Sequence, residues 1–249
     1  MDADIKGFFD TVQHEWLIRM LELQVADKQF VRLIKRFLKA GVIEDGLWHA
    51  AEEGTPQGGI ISPVLSNIYL HYALDLWFDK AVIPKLKGYA ELIRYCDDFI
   101  ICVQKKPVCV RTRTGREDAE RILAALKERL AKFGLELSTE KTKVIPFGRY
   151  AEENARRKGQ KPPAFDFLGF THFNGKTRSG HYKLGRRTSA KRFREKLKAV
   201  KKWVEAVRYL MPLREWWPIF QVKLMGHQRY YGVSGNYERV YVNLYAFSG

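Results

Sequence analysis

Apolar positions three and four apart mark out a series of helices along the chain, and short alternating or unbroken apolar runs mark the strands between them. A short strand around Ala3-Asp4-Ile5 breaks at Gly7. A helix through Trp16, Leu17, Met20 and Leu21 follows, with Asp10 or Thr11 placed to cap it. A second helix is expected from Asp27 to Leu38, with Phe30, Ile34, Phe37 and Leu38 on one face and Gly41 just past its end. A third starts at Ser62-Pro63 and carries Leu65, Ile68, Tyr69, Tyr72, Ala73, Leu76 and Trp77 as its apolar stripe. Leu92-Ile93 and Phe99-Ile100-Ile101-Cys102-Val103 then read as two strands joined by a tight turn.

Residues 104–116 are basic and irregular, the pattern of a surface insertion. Glu117 to Phe133 is amphipathic through Ile122, Leu126 and Leu130, and Gly134 stops it. Strand is expected again at Val144-Ile145-Pro146-Phe147, then loop over 149–163, then a hairpin from Phe165 to Phe173. From Ser189 to about Tyr209 a helix sets Phe193, Leu197, Val200 and Val204 against a wall of Lys and Arg. Past Pro212 a Trp-rich helix is centred on Trp216, Trp217, Phe220 and Leu224. Strands and helices in this mixture give an α+β chain.

With 249 residues, 46% of them hydrophobic, the chain is long enough for one substantial core or two smaller ones. No apolar run approaches the roughly 18 residues that span a bilayer, and Met1-Asp2-Ala3-Asp4 lacks a basic-then-apolar leader, so the expected location is cytoplasmic, with no membrane partner. Cys96, Cys102 and Cys109 form no C-x-x-C pair, which argues against a disulfide framework or a zinc ribbon. The charge is lopsided. From Lys141 onward there are 24 basic and 7 acidic residues, against 20 and 21 before it, so the whole excess of the formal +16 lies in the C-terminal part. Clustered cations release counterions when they replace them along phosphates, so that part is expected to bind nucleic acid. A basic amphipathic helix can also lie on a membrane. The aromatic and polar run Gly226-His227-Gln228-Arg229-Tyr230-Tyr231-Gly232 favours RNA.

Candidate chemistry sits in three places. Asp97-Asp98 occupies the turn between two apolar runs, where Asp is also an ordinary turn residue. Asp4, at a strand end beside Ile5, needs solvent or a cation. The loop Gly54-Thr55-Pro56-Gln57-Gly58-Gly59 lets backbone approach a planar ligand, and the Gln57 amide can donate and accept.

In this order the residues resemble the reverse transcriptase and maturase proteins encoded by group II introns. Asp4-Ile5-Lys6-Gly7-Phe8-Phe9-Asp10 is similar to that family's motif A, Pro56-Gln57-Gly58-Gly59-Ile60-Ile61-Ser62-Pro63 to motif B, and Tyr95-Cys96-Asp97-Asp98 to motif C. Gly134-Leu135-Glu136-Leu137-Ser138 with Lys141-Thr142 is similar to motif D. Phe167-Leu168-Gly169-Phe170 resembles the primer grip, and Leu224-Met225-Gly226-His227 with Tyr230-Tyr231-Gly232 the maturase-specific segment. Cys96 stands where alanine is commonest in the family.

The resemblance implies a polymerase palm, a small antiparallel sheet backed by helices with part of the fingers, over residues 1–178. Residues 179–249 would be a basic helical thumb or maturase-like module, truncated. It implies RNA-directed DNA synthesis, with transfer from a dNTP to a DNA or RNA primer 3′-hydroxyl on an RNA template such as the intron RNA. Two Mg²⁺ ions would assist, with Mn²⁺ as a substitute. Asp4 and Asp97 would bridge the metals, Asp98 would take a secondary part, and the Ile5 carbonyl would be a backbone ligand. Phe9 would exclude a ribose 2′-hydroxyl, Gln57 and Gly58 would contact the nucleotide, and Lys141 would protonate the leaving pyrophosphate. Phe167, Leu168 and Gly169 would meet the primer, and Lys191, Arg192, Arg194, Lys198, Lys201 and Lys202 the RNA.

Three residues precede Asp4, so the expectation is that a fingers segment is missing or supplied by a partner chain. Three other readings stay open: a non-catalytic RNA-binding maturase fragment, an inactive remnant, and a CRISPR-associated reverse transcriptase.

Overall fold

A computed structural model describes residues 1–44, 47–49, 53–55, 59–86, 88–104 and 115–237. Gln57, Gly58 and Cys109 lie outside the described residues, as does most of the expected insertion. The chain packs as two compact units, Met1–Val144 and Ile145–Gly249. Among the described residues no helix is long and apolar enough to cross a membrane.

The first unit is built on a three-stranded antiparallel sheet. β1 (Asp2–Ala3) pairs with β5 (Asp98–Gln104), which pairs in turn with β4 (Tyr89–Tyr95), giving the order β1-β5-β4. Tyr95 lies opposite Asp98, so only Cys96 and Asp97 are left to turn the chain. Phe99 and Ile101 are fully buried on this sheet. Against it packs a core from α2 (His14–Glu22), α3 (Lys28–Lys39), α4 (Ser62–Leu70) and α5 (Gly115–Ala131).

Several expectations are corrected here. Neither Asp10 nor Thr11 caps the first long helix: Gly7, at φ 54, opens a separate short helix α1 (Phe8–Thr11), and α2 begins only at His14. Asp27 does cap α3, its carboxylate accepting from the Gln29 and Phe30 amides at 2.8 and 3.2 Å. The buried face of α3 is Val31, Ile34 and Leu38, whereas Phe30 and Phe37 are about half exposed. A hairpin of β2 (Val42–Glu44) and β3 (Leu47–His49) was not foreseen.

The long stripe after Ser62 is not one regular helix. Two π-helical segments, His71–Asp75 and Phe78–Val82, follow α4 and shift the phase, so that Leu74 and Phe78 become fully buried while Leu76 and Trp77 are only partly so. Arg129 of α5 donates to the Tyr72 and Ala73 carbonyls at 3.0 and 2.9 Å and holds the first of these segments.

The second unit carries an antiparallel sheet in the order β6 (Ala164–Phe167), β7 (Phe170–Lys176), β8 (Tyr182–Thr188). The hairpin expected over 165–173 is β6 and β7; β8 was not foreseen. The boundary expected at 178/179 lies in the connection between the paired strands β7 and β8. Val144–Phe147 forms no strand, and within the expected loop lies α6 (Ala151–Arg157), whose Glu152–Arg156 and Glu153–Arg157 pairs are at helical spacing. α7 (Ala190–Val207) and α8 (Leu213–Tyr231) follow. They meet along an aromatic seam, Phe193 on His227 and Trp203 on Trp216, both at 6.3 Å, an antiparallel pairing. The Trp-rich helix expected around Trp216, Trp217, Phe220 and Leu224 is α8, which continues through Gly226 to Tyr231 and so takes in most of the aromatic and polar run.

Candidate active site

The first unit gathers five of the expected site residues around one cleft of about 490 Å³: Asp4, Ile5, Phe9, Asp97 and Lys141. β5 and the segment 136–143 flank β1 on its two sides. The Asp2 and Lys143 backbones exchange hydrogen bonds at 2.9 and 2.8 Å, Lys6 donates to the Glu136 carbonyl at 2.8 Å, and Ser138 donates to the Asp4 carbonyl at 2.8 Å. Bridges at Asp2 with Lys143 and at Ile5 with Leu137 put six residue steps opposite three. The surplus folds out as a turn closed by Thr142 N–H on the Ser138 carbonyl, at 2.9 Å. That turn carries Lys141 back over the strand, and its ammonium donates to Asp4 Oδ2 at 2.9 Å.

Asp97 reaches the same cleft from the β4–β5 turn. Cys96, in the first turn position, has φ 53, a left-handed conformation uncommon outside glycine. Asp98 opens β5 and is exposed. It is not among the cleft-lining residues, but its charge is felt there. The hydrogen bond to Asp4 raises the Lys141 pKa above its ordinary value, helped by the charges of Asp4, Asp98 and Asp97.

The sequence reading passed over Asp2. Burial pushes its carboxyl above the usual range, with the Asp98 and Asp4 charges adding to the rise against the chain amino group and Lys143. Its spacing of two from Asp4 on a strand was the available signal, since such residues share a face.

Phe9 is half-buried, its ring 5.4 Å from Phe8. Its carbonyl accepts from Thr55 N–H at 2.7 Å, and Gly54 N–H donates to Val12 at 2.8 Å, so the start of the glycine loop is fastened to α1. Only glycine fits there: Gly54 has φ 83, and a Cβ would stand 2.8 Å from the Phe9 carbonyl oxygen.

Among the described residues no three His, Cys, Asp or Glu side chains form a ready metal-binding group. The donor chemistry is nevertheless that of a hard divalent cation, since the carboxylate-bearing Asp4 and Asp97 line one cleft and Asp4 is already paired with the Lys141 ammonium.

In the second unit, Leu168 and Gly169 make the β6–β7 turn with φ 49 and 78. Tyr230 Oη donates to the Leu168 carbonyl at 2.8 Å, and Ser189 N–H to the Gly169 carbonyl at 2.9 Å. A Cβ on Gly169 would lie 2.7 Å from the Tyr231 hydroxyl. Phe167 is half-buried beside this turn. Lys191, Arg192, Arg194, Lys198, Lys201 and Lys202 are all exposed along α7.

The model of the family described as reverse transcriptase (RNA-dependent DNA polymerase) matches residues 1–172. The group II intron-encoded protein LtrA of Lactococcus lactis subsp. cremoris is 32% identical over 160 residues, covering 61% of this chain and 26% of LtrA. Protein YkfC of Escherichia coli (strain K12) is 32% identical over 170 residues, 58% of this chain and 42% of YkfC. The putative COX1/OXI3 intron 1 protein of Saccharomyces cerevisiae is 38% identical over 89 residues, 35% of this chain and 11% of that protein. The chain thus spans less than half the length of each of these relatives.

Proposed function

The chain belongs to the reverse transcriptase (RNA-dependent DNA polymerase) family, and on that footing we propose that it is the palm and adjoining basic module of a group II intron-type enzyme. Its reaction would be transfer of a nucleotide from a dNTP to a primer 3′-hydroxyl on an RNA template. The observation that carries this reading is the meeting of Asp4, Asp97 and Lys141 at one cleft inside the family-matched stretch. Two intron-encoded proteins among the relatives favour an intron-type enzyme over a CRISPR-associated one.

Asp4 and Asp97, with the Ile5 carbonyl and a secondary part for Asp98, would hold Mg²⁺ or Mn²⁺. The bound ions supply Lewis-acid charge to the attacking hydroxyl and the triphosphate. Lys141, whose proton is held more firmly than in a free lysine, would donate to the leaving pyrophosphate. Phe9 lies on the cleft wall, where a ring could exclude a ribose 2′-hydroxyl. Gln57 and Gly58 are assigned to the incoming nucleotide on sequence alone. In the second unit Phe167, Leu168 and Gly169 are assigned to the primer, and the exposed cations of α7 to the RNA backbone. By function, residues 1–178 would be palm with part of the fingers and 179–249 thumb.

Primer extension on an RNA template with Mg²⁺ tests this. Asp97→Ala should lower extension at least ~100-fold, the scale of losing one stabiliser of transition-state charge, and extension that survives it would remove Asp97 from the site. A second reading, an RNA-binding maturase that does not polymerise, is favoured by the concentration of 24 basic residues from Lys141 onward. It predicts intron RNA binding that falls with salt and is indifferent to Asp97→Ala.

A further inference from the structure

Arg94 is the last-but-one residue of β4, and its guanidinium is nearly enclosed, the side chain 13% exposed. It makes four hydrogen bonds. Nε and Nη2 fork onto Asp75 at 2.8 and 2.6 Å, Nη1 donates to Asn67 Oδ1 at 2.7 Å, and the same Nη1 donates to the Cys96 carbonyl at 2.9 Å. Asp75 closes the first π-helical segment and Asn67 lies on α4, so the guanidinium is anchored on two neighbouring helical elements. From there Nη1 reaches into the turn.

The Cys96 carbonyl shares one planar peptide unit with the Asp97 amide and Cα. Fixing that oxygen fixes the plane from which the Asp97 carboxylate projects. The plane needs fixing, because Cys96 is held at φ 53 without being glycine, and two strands paired at Tyr95 and Asp98 do not by themselves choose among turn conformations. A fork between Arg and carboxylate fixes direction as well as distance, which lysine cannot do. An enclosed ion pair is a weak source of stability, and apolar residues of like volume often do as well. Position is therefore what this one supplies.

We propose that Arg94, anchored by Asp75 and Asn67, is the positioning residue that sets Asp97 for divalent-metal binding. It rests on the reading of Asp97 as a metal ligand, and the experiment separates the two. Mn²⁺ binding to the 249-residue chain is measured by the electron paramagnetic resonance signal of the free ion. Thermal melting is followed in parallel, at a temperature where each variant is folded by circular dichroism. Arg94→Lys keeps the charge and loses the fork; it should weaken Mn²⁺ binding about 10-fold, as losing the partner of a metal ligand does. Excess Mn²⁺ should restore primer extension to Arg94→Lys and leave Asp97→Ala inactive. Asp75→Asn, isosteric, should weaken binding in the same direction and carries the test if Arg94→Lys does not fold. If Asp97→Ala abolishes Mn²⁺ binding while folded Arg94→Lys and Asp75→Asn bind like the unsubstituted chain, the positioning role is overturned and the metal site stands. If Asp97→Ala binds Mn²⁺ unchanged, the metal reading itself fails.

Discussion

Tyr69 shows how one side chain joins distant parts of the first unit. It is fully buried, and its hydroxyl donates to the Phe133 carbonyl at 2.6 Å, 64 positions away. Burial pushes its pKa to about 12. The folded state therefore holds the phenolic proton more tightly than the unfolded state, whose phenol titrates near the ordinary value of about 10. The stabilisation is complete below about pH 10 and drains away as pH rises through about 12. Tyr69→Phe should cost about 1 kcal/mol in urea unfolding at pH 8, from the carbonyl left without its donor. The variant should also lose less stability than the parent between pH 10 and 12. The stripe in the sequence identified Tyr69 as core, but its partner depends on where α5 ends against α4, which no local pattern records.

Elements show the same division. The β4–β5 hairpin, α3, α5 and α7 were legible because each is a sustained period bounded by its own stop or cap: Asp27 before α3, Gly134 after α5. β8 was missed because Tyr182-Lys183-Leu184-Gly185-Arg186-Arg187 alternates poorly and carries Gly185. That glycine is there because the Phe173 ring lies across it, 2.4 Å from where a Cβ would stand. Gly226 is the opposite case. It opens the aromatic and polar run that the sequence sets after the Trp-rich helix, yet it lies inside α8 with open space around a would-be Cβ. Gly226→Ala should raise stability by about 0.5–1 kcal/mol, read as a higher melting midpoint with the chemistry of the first unit unchanged. The first π-helical segment could not be foreseen, because the Arg129 guanidinium that donates to its Tyr72 and Ala73 carbonyls is in place only after α5 has docked.

For the molecule as a whole, the lopsided charge makes a prediction that leaves the cleft aside. Replacing Lys191, Arg194, Lys198 and Lys202 with Gln should flatten the logarithmic dependence of RNA binding on salt. The slope should fall by about 3 if all four meet phosphates on single-stranded RNA, at ~0.7 per contact. Fluorescence anisotropy with intron RNA over about 50–200 mM KCl, where phosphate contacts lose most of their affinity, measures it.

Sequence by itself determined what is local: the apolar periods, the acid pair in a turn, the glycine-rich loop, the basic excess after Lys141, and the order of motifs that marks the family. Each is a property of neighbouring residues, and propensity and charge act over that range. Tertiary structure decided what is shared between distant segments. Lys141 meets Asp4 across 137 positions because six residue steps are paired against three and the surplus must fold outward. Asp97 is aimed by a carbonyl that Arg94 holds from two helical elements, and the register of β1 on β5 brings Asp2 within the field of the Asp98 charge. Registers, bulges and buried forks arise when the core closes, since each depends on which surfaces are then in contact.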